Sequence, residues 1–293
     1  MQKRVIALGF FDGVHLGHGA LLSRTVNIAR KANVSSAALL FDRHPSHIVS
    51  NNPVPLINTA EERALLMKGL YNIDTPLPLK FDTACATLPW DEFVKKVLIN
   101  DFGACHVVAG FDFRFGYRGE GCGDKLYSLC KELGVGCDII ERVELDGQTI
   151  SSSLIRDLIA QGDVSRAAKF LGHNHFIYSP VKHGAALGRT IGIPTINQHF
   201  ESNICTPKFG VYATRVHIGT SVFRGVTNIG TRPTVSDKML PRAETFILDY
   251  SGDLYSQCIG IEFLDMLRPE RKFDSIDDLR QAIDTDIQRA REY

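Results

Sequence analysis

The 293-residue sequence has no long apolar run and no excess of charge of either sign. Its apolar stretches fall short of the roughly 18 residues of a membrane-spanning helix, so we expect no membrane anchor. Lysine and arginine number 33, and aspartate and glutamate also number 33, which gives a formal charge of zero. Because no long-range field then attracts a polyanion, we expect small-molecule partners and neither nucleic acid nor a membrane.

The sequence also lacks a Cys-x-x-Cys pair, and its seven cysteines are odd in number. Both facts argue against a disulfide framework and against a zinc ribbon. Residues 1–4 lead directly into an apolar strand pattern, without the apolar core and cleavage site of a signal peptide. We therefore expect reduced thiols and a cytoplasmic location.

Apolar residues make up 44% of the chain and follow two different patterns. In the first 150 residues, short runs rich in Val, Ile and Leu alternate with segments of helical spacing, which is typical of parallel strands joined by helices. The strands are expected at 4–10, 36–41, 104–110 and 137–143, and the helices at 16–31 and from the Thr59-Ala60-Glu61-Glu62 capping box to about Leu70. This half is predicted to be a doubly wound, Rossmann-like α/β domain with a parallel sheet.

After residue 176 the pattern changes to short alternating runs separated by Gly, Pro and Asp, which predicts a small antiparallel β-barrel. Its strands are expected at 211–218, 222–229, 243–250 and 254–263. Two short helices precede it, at 152–161 and 164–171, each followed by a stop glycine, Gly162 and Gly172. A terminal helix opens at Ser275, with an apolar stripe of Ile276, Leu279, Ile283, Ile287 and Ala290 to face the barrel. We place the boundary at 172, giving domains 1–172 and 173–293.

The segment Gly9-Phe10-Phe11-Asp12-Gly13-Val14-His15-Leu16-Gly17-His18 joins the first strand to the first helix. At this position of an open α/β sheet, a helix N-terminus offers N–H groups and its positive dipole end to phosphate. Gly13 and Gly17 allow the backbone to approach a ligand, and His15 and His18 can both donate to one phosphate chain. The other interpretations are two polar helix-start residues, or a metal site, although no third ligand has a suitable spacing. No Walker phosphate-binding sequence occurs.

The start of the expected helix 152–161 carries Ser151, Ser152, Ser153 and Arg156. Hydroxyl and N–H groups at a helix start can hold phosphate oxygens, and an arginine on the first turn adds a bidentate donor. A serine-rich helix cap without any ligand is the alternative interpretation.

A second glycine-rich segment, 184–197, has the sequence Gly-Ala-Ala-Leu-Gly-Arg-Thr-Ile-Gly-Ile-Pro-Thr-Ile-Asn. Its glycines permit close backbone approach to a ligand, and Pro194 restricts the chain. Thr195 and Asn197 are two residues apart, so on an extended segment their oxygens project to one side, where they can serve as Mg²⁺ ligands. A plain Gly-Pro turn between strands is the alternative.

Several of these stretches together resemble the bacterial bifunctional FAD synthetases, which combine riboflavin kinase and FMN adenylyltransferase. Residues 9–18 are similar to the family's Phe-Asp-Gly-Val-His-x-Gly-His form of the nucleotidyltransferase signature. The other N-terminal matches are Phe41-Asp42-Arg43-His44-Pro45, Gly110-Phe111-Asp112-Phe113-Arg114-Phe115-Gly116 and Ile150-Ser151-Ser152-Ser153-Leu154-Ile155-Arg156. The segments that resemble the riboflavin kinase domain, in order, are 184–197, 210–212, 225–234, Glu244 and 253–255.

The resemblance implies a nucleotidyltransferase fold for the first domain and a six-stranded barrel with a terminal helix for the second. It implies that the barrel phosphorylates riboflavin to FMN and that the α/β domain adenylylates FMN to FAD with release of pyrophosphate, both with Mg²⁺ and ATP. By resemblance, the catalytic residues are His15, His18 and Arg156 for adenylyl transfer and Glu244 as the base of the kinase. The resemblance also assigns ATP and phosphate to Gly9, Phe10, Asp12, Gly17, Ser151, Ser152, Gly184 and Arg189, the flavin to Asp112 and Arg114, and Mg²⁺ to Thr195 and Asn197.

The second domain departs from the family pattern in three places, one of which is Ser179-Pro180 where the family usually has a glycine. Leu171-Gly172-His173-Asn174-His175 stands where the family has Leu-Gly-Arg-Pro-Tyr, and Ile193 and Ile196 replace the Phe and Ala of Gly-Phe-Pro-Thr-Ala-Asn. One alternative function is therefore a working adenylyltransferase whose barrel only binds flavin or regulates. Another is a nucleotidyltransferase of the same superfamily that acts on tRNA or pantetheine, against which the barrel motifs and the absence of a Lys-Met-Ser-Lys-Ser segment argue.

Overall fold

The computed structural model describes residues 2–42, 54–184, 192–231 and 241–293. Arg189 and the motif residues 43–45 and 232–234 lie outside the described residues. The chain divides into two compact units, Met1–Ser152 and Ser153–Tyr293. Residues 153–172 thus group with the second unit, and the boundary at 172 stays a prediction.

The first unit alternates short strands with helices. Its strands are β1 (Arg4–Leu8), β2 (Ser35–Phe41), β3 (Thr75–Leu79), β4 (Ala104–Gly110), β5 (Gly136–Ile140), β6 (Glu144–Leu145) and β7 (Gln148–Thr149). Its helices are α1 (Leu16–Ala32), α2 (Ala60–Tyr71), α3 (Thr83–Ala86), α4 (Trp90–Glu92), which continues in π-helical turns over Phe93–Asp101, and α5 (Gly123–Glu132). The predicted capping box forms both of its bonds, from the Glu62 N–H to Thr59 Oγ1 (3.1 Å) and from the Thr59 N–H to Glu62 Oε2 (2.9 Å).

The parallel sheet of the first unit has the order β3-β2-β1-β4-β5. The central strand β1 is buried over Val5 to Leu8, because helices cover both faces of a parallel sheet. Strands β1, β2 and β3 follow one another toward one edge of the sheet, and β4 and β5 then lie on the other side of β1. The direction in which strands are added therefore reverses between β1 and β4. The predicted doubly wound layer is confirmed, and ligands of such sheets bind at this reversal, beyond the carboxyl ends of the strands.

The predicted boundaries need correction at three places in this sheet. The edge strand β3 was not expected from the sequence, because Pro76 and Pro78 interrupt its strand pattern and proline is tolerated only at an edge. The strand predicted at 4–10 ends at Leu8, and the one predicted at 137–143 ends at Ile140. In both cases the remaining residues belong to loops that line a cavity.

The second unit takes in α6 (Ser152–Gln161), whose first residue ends the first unit, then α7 (Val164–Leu171), an antiparallel sheet and α8 (Ile276–Ala290). The strands are β8 (His175–Pro180), β9 (Thr195–His199), β10 (Gly210–Ile218), β11 (Ser221–Gly230), β12 (Arg242–Ile247) and β13 (Cys258–Pro269), in the order β8-β13-β10-β11-β12-β9. The outer strands meet where the Lys182 N–H donates to Asn197 O (2.8 Å) and Gln198 Nε2 donates to Ser179 O (2.5 Å). The sheet thus curls into the small antiparallel barrel that the sequence predicts.

Two barrel strands differ from their predicted bounds. The strand expected at 254–263 lies at Cys258–Pro269, and the one expected at 243–250 lies at Arg242–Ile247. The chain between them turns, with Asp249 and Ser256 at positive φ. Strands β8 and β9 were not expected from the sequence, since they are short and pair with segments distant in the chain.

Side-chain alternation along β10 separates the two faces of the barrel wall. On the inner face, the buried hydroxyls of Thr214, Thr227 and Thr245 form a ladder with 2.9 Å between successive oxygens. On the outer face, Val211 and Ala213 pack with α8.

Helix α8 lies on the barrel as predicted, but its covered face differs from the predicted stripe. Ile276 is 62% exposed, whereas Asp286 is buried and pairs with Arg268 of β13 (Nη2 to Oδ2, 2.9 Å). A charge pair therefore takes part in holding this helix to the sheet. Within the described ranges, no helix has the length and apolar composition needed to cross a membrane.

Candidate active sites

A cavity of about 950 Å³ opens in the first unit beyond the carboxyl ends of β1, β4 and β5. Its wall combines the loop after β1, the start of α1, the loop 110–119 after β4, residues 140–143 after β5 and residues 149–152. The predicted site residues that line it are Gly9, Phe10, His15, Gly17, His18, Asp112, Arg114, Ser151 and Ser152. Sheet topology thus brings together residues that are widely separated in the sequence.

The turn between β1 and α1 has an unusual backbone. Phe11 (φ 58°), Gly13 (φ 80°) and Val14 (φ 43°) all lie in the left-handed region. Glycine adopts this conformation readily, but a phenylalanine and a β-branched valine are strained there by about 1–3 kcal/mol each. Such a turn persists only where the surrounding contacts determine its conformation.

His15 is the N-cap of α1, and its ring is oriented by the helix itself. The His18 N–H donates to His15 Nδ1 (3.2 Å), so Nδ1 is an acceptor. In a neutral imidazole the other nitrogen, Nε2, then carries the proton and is a donor. A methyl group at Gly17 would lie 3.1 Å from the His15 ring, so the glycine leaves room for this orientation.

The His18 ring is stacked on the His15 ring, with 3.6 Å between their centroids and 12° between their planes. Phe11 contacts His18 edge-on at 5.2 Å. Desolvation lowers the pKa of His18 well below 6.5, and the neighbouring His15 and Arg63 lower it further. His18 is therefore neutral at physiological pH, and both stacked rings line the cavity.

Asp12 does not line the cavity, in contrast to the other predicted phosphate-binding residues of this segment. The residue is 2% exposed, and its carboxylate accepts hydrogen bonds from the N–H groups of Ile57 (2.8 Å) and Asn58 (3.4 Å). Its carbonyl oxygen accepts from Ser152 Oγ (2.9 Å). The structure thus gives Asp12 contacts that fasten the turn to the chain behind it, and phosphate binding by this carboxylate stays a prediction.

Arg63, which the sequence analysis did not single out, lies directly behind the turn. It has the largest side chain among the fully buried residues. Its guanidinium group donates to the carbonyl oxygens of Phe10 (2.7 Å) and Phe41 (2.8 Å) and lies 4.6 Å from the centre of the Phe10 ring. The sequence feature that could have identified Arg63 is its position one residue after the capping box, which places it on the first turn of α2.

The loop after β4 adds aromatic surface to the cavity. Phe111 and Tyr117 line it and remain 43% and 41% exposed, and the guanidinium groups of Arg142 and Arg118 lie over their respective rings at 5.2 Å. Exposed aromatic rings of this kind suit a flat, conjugated ligand. The sequence analysis placed Asp112 and Arg114 here but did not identify the two aromatic rings as site residues.

The second predicted site lies on the barrel wall. Asn197 of β9 is directly opposite Glu244 of β12, which is directly opposite Asn228 of β11. Opposed residues on neighbouring strands share a face, with about 4.5–5.5 Å between Cβ atoms. Thr195 lies two residues before Asn197 and therefore on the same face. Register thus brings together Thr195, Asn197 and Glu244, three of the predicted kinase residues. It adds Asn228, which the sequence analysis did not identify as a site residue.

Two neighbours shape this barrel site. Glu244 keeps about a fifth of its side chain exposed and has Arg242 Nε 3.5 Å from its Oε1. Gly184 packs against Asn197, because a methyl group at Gly184 would lie 2.6 Å from Asn197 Cγ. Gly184 thus leaves room for the Asn197 side chain, and its ATP-binding role stays a prediction.

Besides Asp12, two predicted residues are not placed in either site by the described contacts. Arg156 lies on α6 in the second unit, where its Nη2 donates to Ser153 Oγ (3.1 Å). Arg189 is among the residues that the structure does not describe. The catalytic role of Arg156 and the ATP-binding role of Arg189 stay predictions.

Comparison with known proteins gives each unit a counterpart. The FAD synthetase family model matches residues 1–154, and the riboflavin kinase model matches residues 171–293. The chain belongs to the bifunctional riboflavin kinase/FMN adenylyltransferase family.

Relatives in this family match the chain almost from end to end. The bifunctional riboflavin kinase/FMN adenylyltransferase of Bacillus subtilis is 35% identical over 99% of this chain and 92% of its own length. Those of Haemophilus influenzae (33% identical, covering 100% of this chain and 95% of the relative) and Escherichia coli K12 (34%, 99% and 92%) are similar. The resemblance seen in the sequence is thereby confirmed.

A crystal structure from Streptococcus pneumoniae, described as that of a macrolide-efflux protein, is also similar. Its TM-score is 0.88 with 30% sequence identity, over 100% of this chain and 95% of that chain. The likeness supports the fold described above, and the efflux in the description belongs to that protein.

Proposed function

We propose that this chain converts riboflavin to FMN with ATP in its barrel and converts FMN to FAD with a second ATP in its α/β unit. Family membership supports both steps. The observation that carries the proposal is that each unit holds the donor set its reaction needs. These sets are two stacked histidines at a helix start in the first unit and an Asn–Glu–Asn row with a neighbouring threonine in the second.

In adenylyl transfer, a phosphate oxygen of FMN attacks the α-phosphorus of ATP, and the bond from that phosphorus to the bridging oxygen breaks as pyrophosphate leaves. Negative charge develops on the phosphate oxygens in the transition state, and fixed donors stabilise it. The His15 Nε2–H and the N–H groups at the start of α1 supply such donors, and His18 contributes as a neutral imidazole. The exposed rings of Phe111 and Tyr117, with Asp112 and Arg114, form the surface we assign to the flavin.

In the kinase step, Glu244 takes the proton of the ribityl 5′-hydroxyl as its oxygen attacks the γ-phosphorus of ATP, and ADP leaves. The hydroxyl oxygen of Thr195 and the amide oxygen of Asn197 are hard donors of the type Mg²⁺ prefers, so the residues fit this ion. Bound there, Mg²⁺ supplies charge neutralisation for the phosphates.

We further propose that the partners are these small molecules and that the protein works in the cytoplasm. The zero formal charge gives no attraction toward nucleic acid, and none of the seven cysteines forms a disulfide, as is usual in a reducing compartment.

Incubation with riboflavin, ATP and Mg²⁺, followed by chromatographic separation of FMN and FAD, tests the proposal. Wild-type protein should form both products. His18→Ala should lower FAD formation by about 10²–10³-fold and leave FMN formation unchanged, because only the adenylyl site loses a donor. Asn197→Ala should lower FMN formation while supplied FMN is still converted to FAD. With the fold intact, loss of FMN formation in His18→Ala, or failure of Asn197→Ala to convert supplied FMN to FAD, contradicts two separate sites.

A further inference from the structure

Arg63 is a buried cation placed behind the candidate adenylyl site. It lies on the first turn of α2, and its side chain has no exposed surface. Burial lowers its pKa to about 10, and the nearby carboxylates of Asp12 and Asp42 oppose that shift. The group therefore stays charged at physiological pH, although it lines no part of the cavity.

Each of the three guanidinium nitrogens donates a hydrogen bond to a backbone oxygen. Nη1 donates to Phe10 O (2.7 Å), Nη2 to Phe41 O (2.8 Å) and Nε to Thr59 O (3.4 Å). Phe41 ends β2, and Phe10 follows the end of β1, so the side chain bridges the carboxyl ends of two neighbouring strands. Both of these phenylalanines line the cavity.

A second buried charge, the carboxylate of Asp12, also links the turn between β1 and α1 to the start of α2. Asp12 belongs to the turn, and its carboxylate accepts from the N–H groups of Ile57 and Asn58, just before α2. Arg63 belongs to α2, and its guanidinium group holds the turn at Phe10. The turn and the start of α2 are thus linked twice, once by an anion on the turn and once by a cation on the helix.

These links surround the strained residues of the turn. Phe11 directly precedes Asp12, Val14 directly precedes His15, and both have positive φ. A strained backbone keeps its conformation only where its neighbours are fixed. Arg63 fixes the carbonyl immediately before Phe11, and the orientation of the histidine rings depends on the conformation that follows.

We propose that Arg63 is a positioning residue for adenylyl transfer, which holds the strained turn so that His15 and His18 face the reacting phosphates. The inference rests on the proposed adenylyltransferase function. Arg63 does not line the cavity, and it acts through the backbone of Phe10. Its positive charge also favours the neutral form of His18, which agrees with the lowered pKa of that ring.

The test uses the full-length chain and compares Arg63→Gln, Arg63→Lys and the control Lys68→Gln, which removes an exposed cation from the same helix. We measure kcat and KM for FAD formation from FMN and ATP, riboflavin phosphorylation by the same sample, and the thermal unfolding midpoint. Arg63→Gln should lower the kcat of FAD formation by roughly tenfold to a hundredfold, with the KM for FMN within about threefold of wild type. Lysine keeps the charge but cannot reach all three oxygens, so Arg63→Lys should recover part of the lost kcat.

Riboflavin phosphorylation should stay within about twofold of wild type in all three variants, and Lys68→Gln should match wild type in every measurement. A folded Arg63→Gln protein with wild-type kcat overturns the inference, as does an equal fall of both activities. If Arg63→Gln does not fold, Arg63→Lys decides: a lowered kcat with an unchanged midpoint supports positioning, and a wild-type kcat overturns it. If wild-type protein forms no FAD, the proposed function fails, which is a different result from a failure of Arg63.

Discussion

Gly184 gives a single-residue test of the barrel site. A methyl group at this position would overlap the Asn197 side chain, which is buried and has little room to move. We expect Gly184→Ala to displace the amide and lower riboflavin phosphorylation at least about tenfold, because misplaced ligands lose transition-state contacts. Conversion of supplied FMN to FAD should not change. Steady-state assay of both reactions on one preparation measures this.

The control for Gly184 is Gly260→Ala in β13. A methyl group there would meet only ordinary contacts, the nearest at 3.6 Å from His217 Cβ. This variant should keep both activities. If Gly184→Ala also keeps its kinase activity, close packing on Asn197 is not needed at this site.

His175 is a buried histidine without hydrogen-bond partners for either ring nitrogen among the described residues. Its ring stacks on Phe263 with 5.7 Å between centroids. Burial, with a smaller contribution from nearby His173, lowers its pKa to about 3. The folded protein therefore excludes a proton that the unfolded chain binds below pH 6.5.

The sign of the pH effect follows from this depressed pKa. Above pH 6.5 the ring is neutral in both states, whereas between pH 6.5 and 3 only the unfolded state binds the proton, so stability falls as pH falls, by about 1.4 kcal/mol per unit. His175→Leu should remove this component and raise the unfolding midpoint at pH 5 more than at pH 7.5. Urea unfolding at several pH values measures it. The exposed His183→Gln variant should keep the wild-type slope, and an unchanged slope in His175→Leu refutes the assignment.

At the scale of elements, α8 is held to the barrel in part by Asp286. Its carboxylate is buried and receives Nε and Nη2 of Arg268, both at 2.9 Å from Oδ2. Asp286→Ala leaves the guanidinium group without its counter-charge, so we expect a loss of about 2–3 kcal/mol in the free energy of unfolding. The loss stays at the low end because Arg268 is 19% exposed. Denaturant titration of the second unit's transition measures it.

A matched double variant separates charge from packing at this contact. Asp286→Leu combined with Arg268→Met replaces the pair by apolar groups and should recover most of the lost stability. If the double variant is as unstable as Asp286→Ala, packing rather than the unpaired charge accounts for the loss.

Helices with local end signals are the elements that the sequence predicts best. The helices predicted at 152–161 and 164–171 have these bounds in the structure. The second is capped by Asp163, which accepts from the Arg166 N–H (3.1 Å), and ends at Gly172 in the left-handed conformation. Such caps are encoded within a few residues. Strands β3, β8 and β9 escape prediction because pairing with distant segments, rather than their own sequence, makes them strands.

The candidate sites show the same division between local and distant determinants. The histidines, glycines and serines of the first site lie in recognisable local motifs, and most of the predicted residues line one cavity. Arg63 and the carboxylate of Asp12 act through backbone groups up to some fifty residues away, and no local pattern reveals such partners. Asn228 enters the barrel site only through strand register.

At the scale of the whole molecule, each unit has its own donor set. We therefore expect that two different protein chains can carry out the two reactions in sequence. A mixture of His18→Ala and Asn197→Ala proteins should form FAD from riboflavin, although neither does so alone at a comparable rate. FMN released by the first variant is then the substrate of the second. The time course should show a lag while FMN accumulates. Chromatography of timed samples measures it, and absence of FAD from the mixture contradicts free exchange of FMN.

The edge strand β3 has a consequence for how molecules meet in solution. The Leu79 carbonyl accepts from the Asp42 N–H, so Leu77 and Leu79 direct their hydrogen-bonding groups toward the neighbouring strand. Pro76 and Pro78 alternate with them and turn their nitrogens outward, where an ordinary residue would offer an N–H. At Pro76 and Pro78 this border of the sheet offers carbonyl oxygens but no N–H donors to a strand from another chain. The parallel sheet therefore ends here, and its border is protected against addition of strands from other chains.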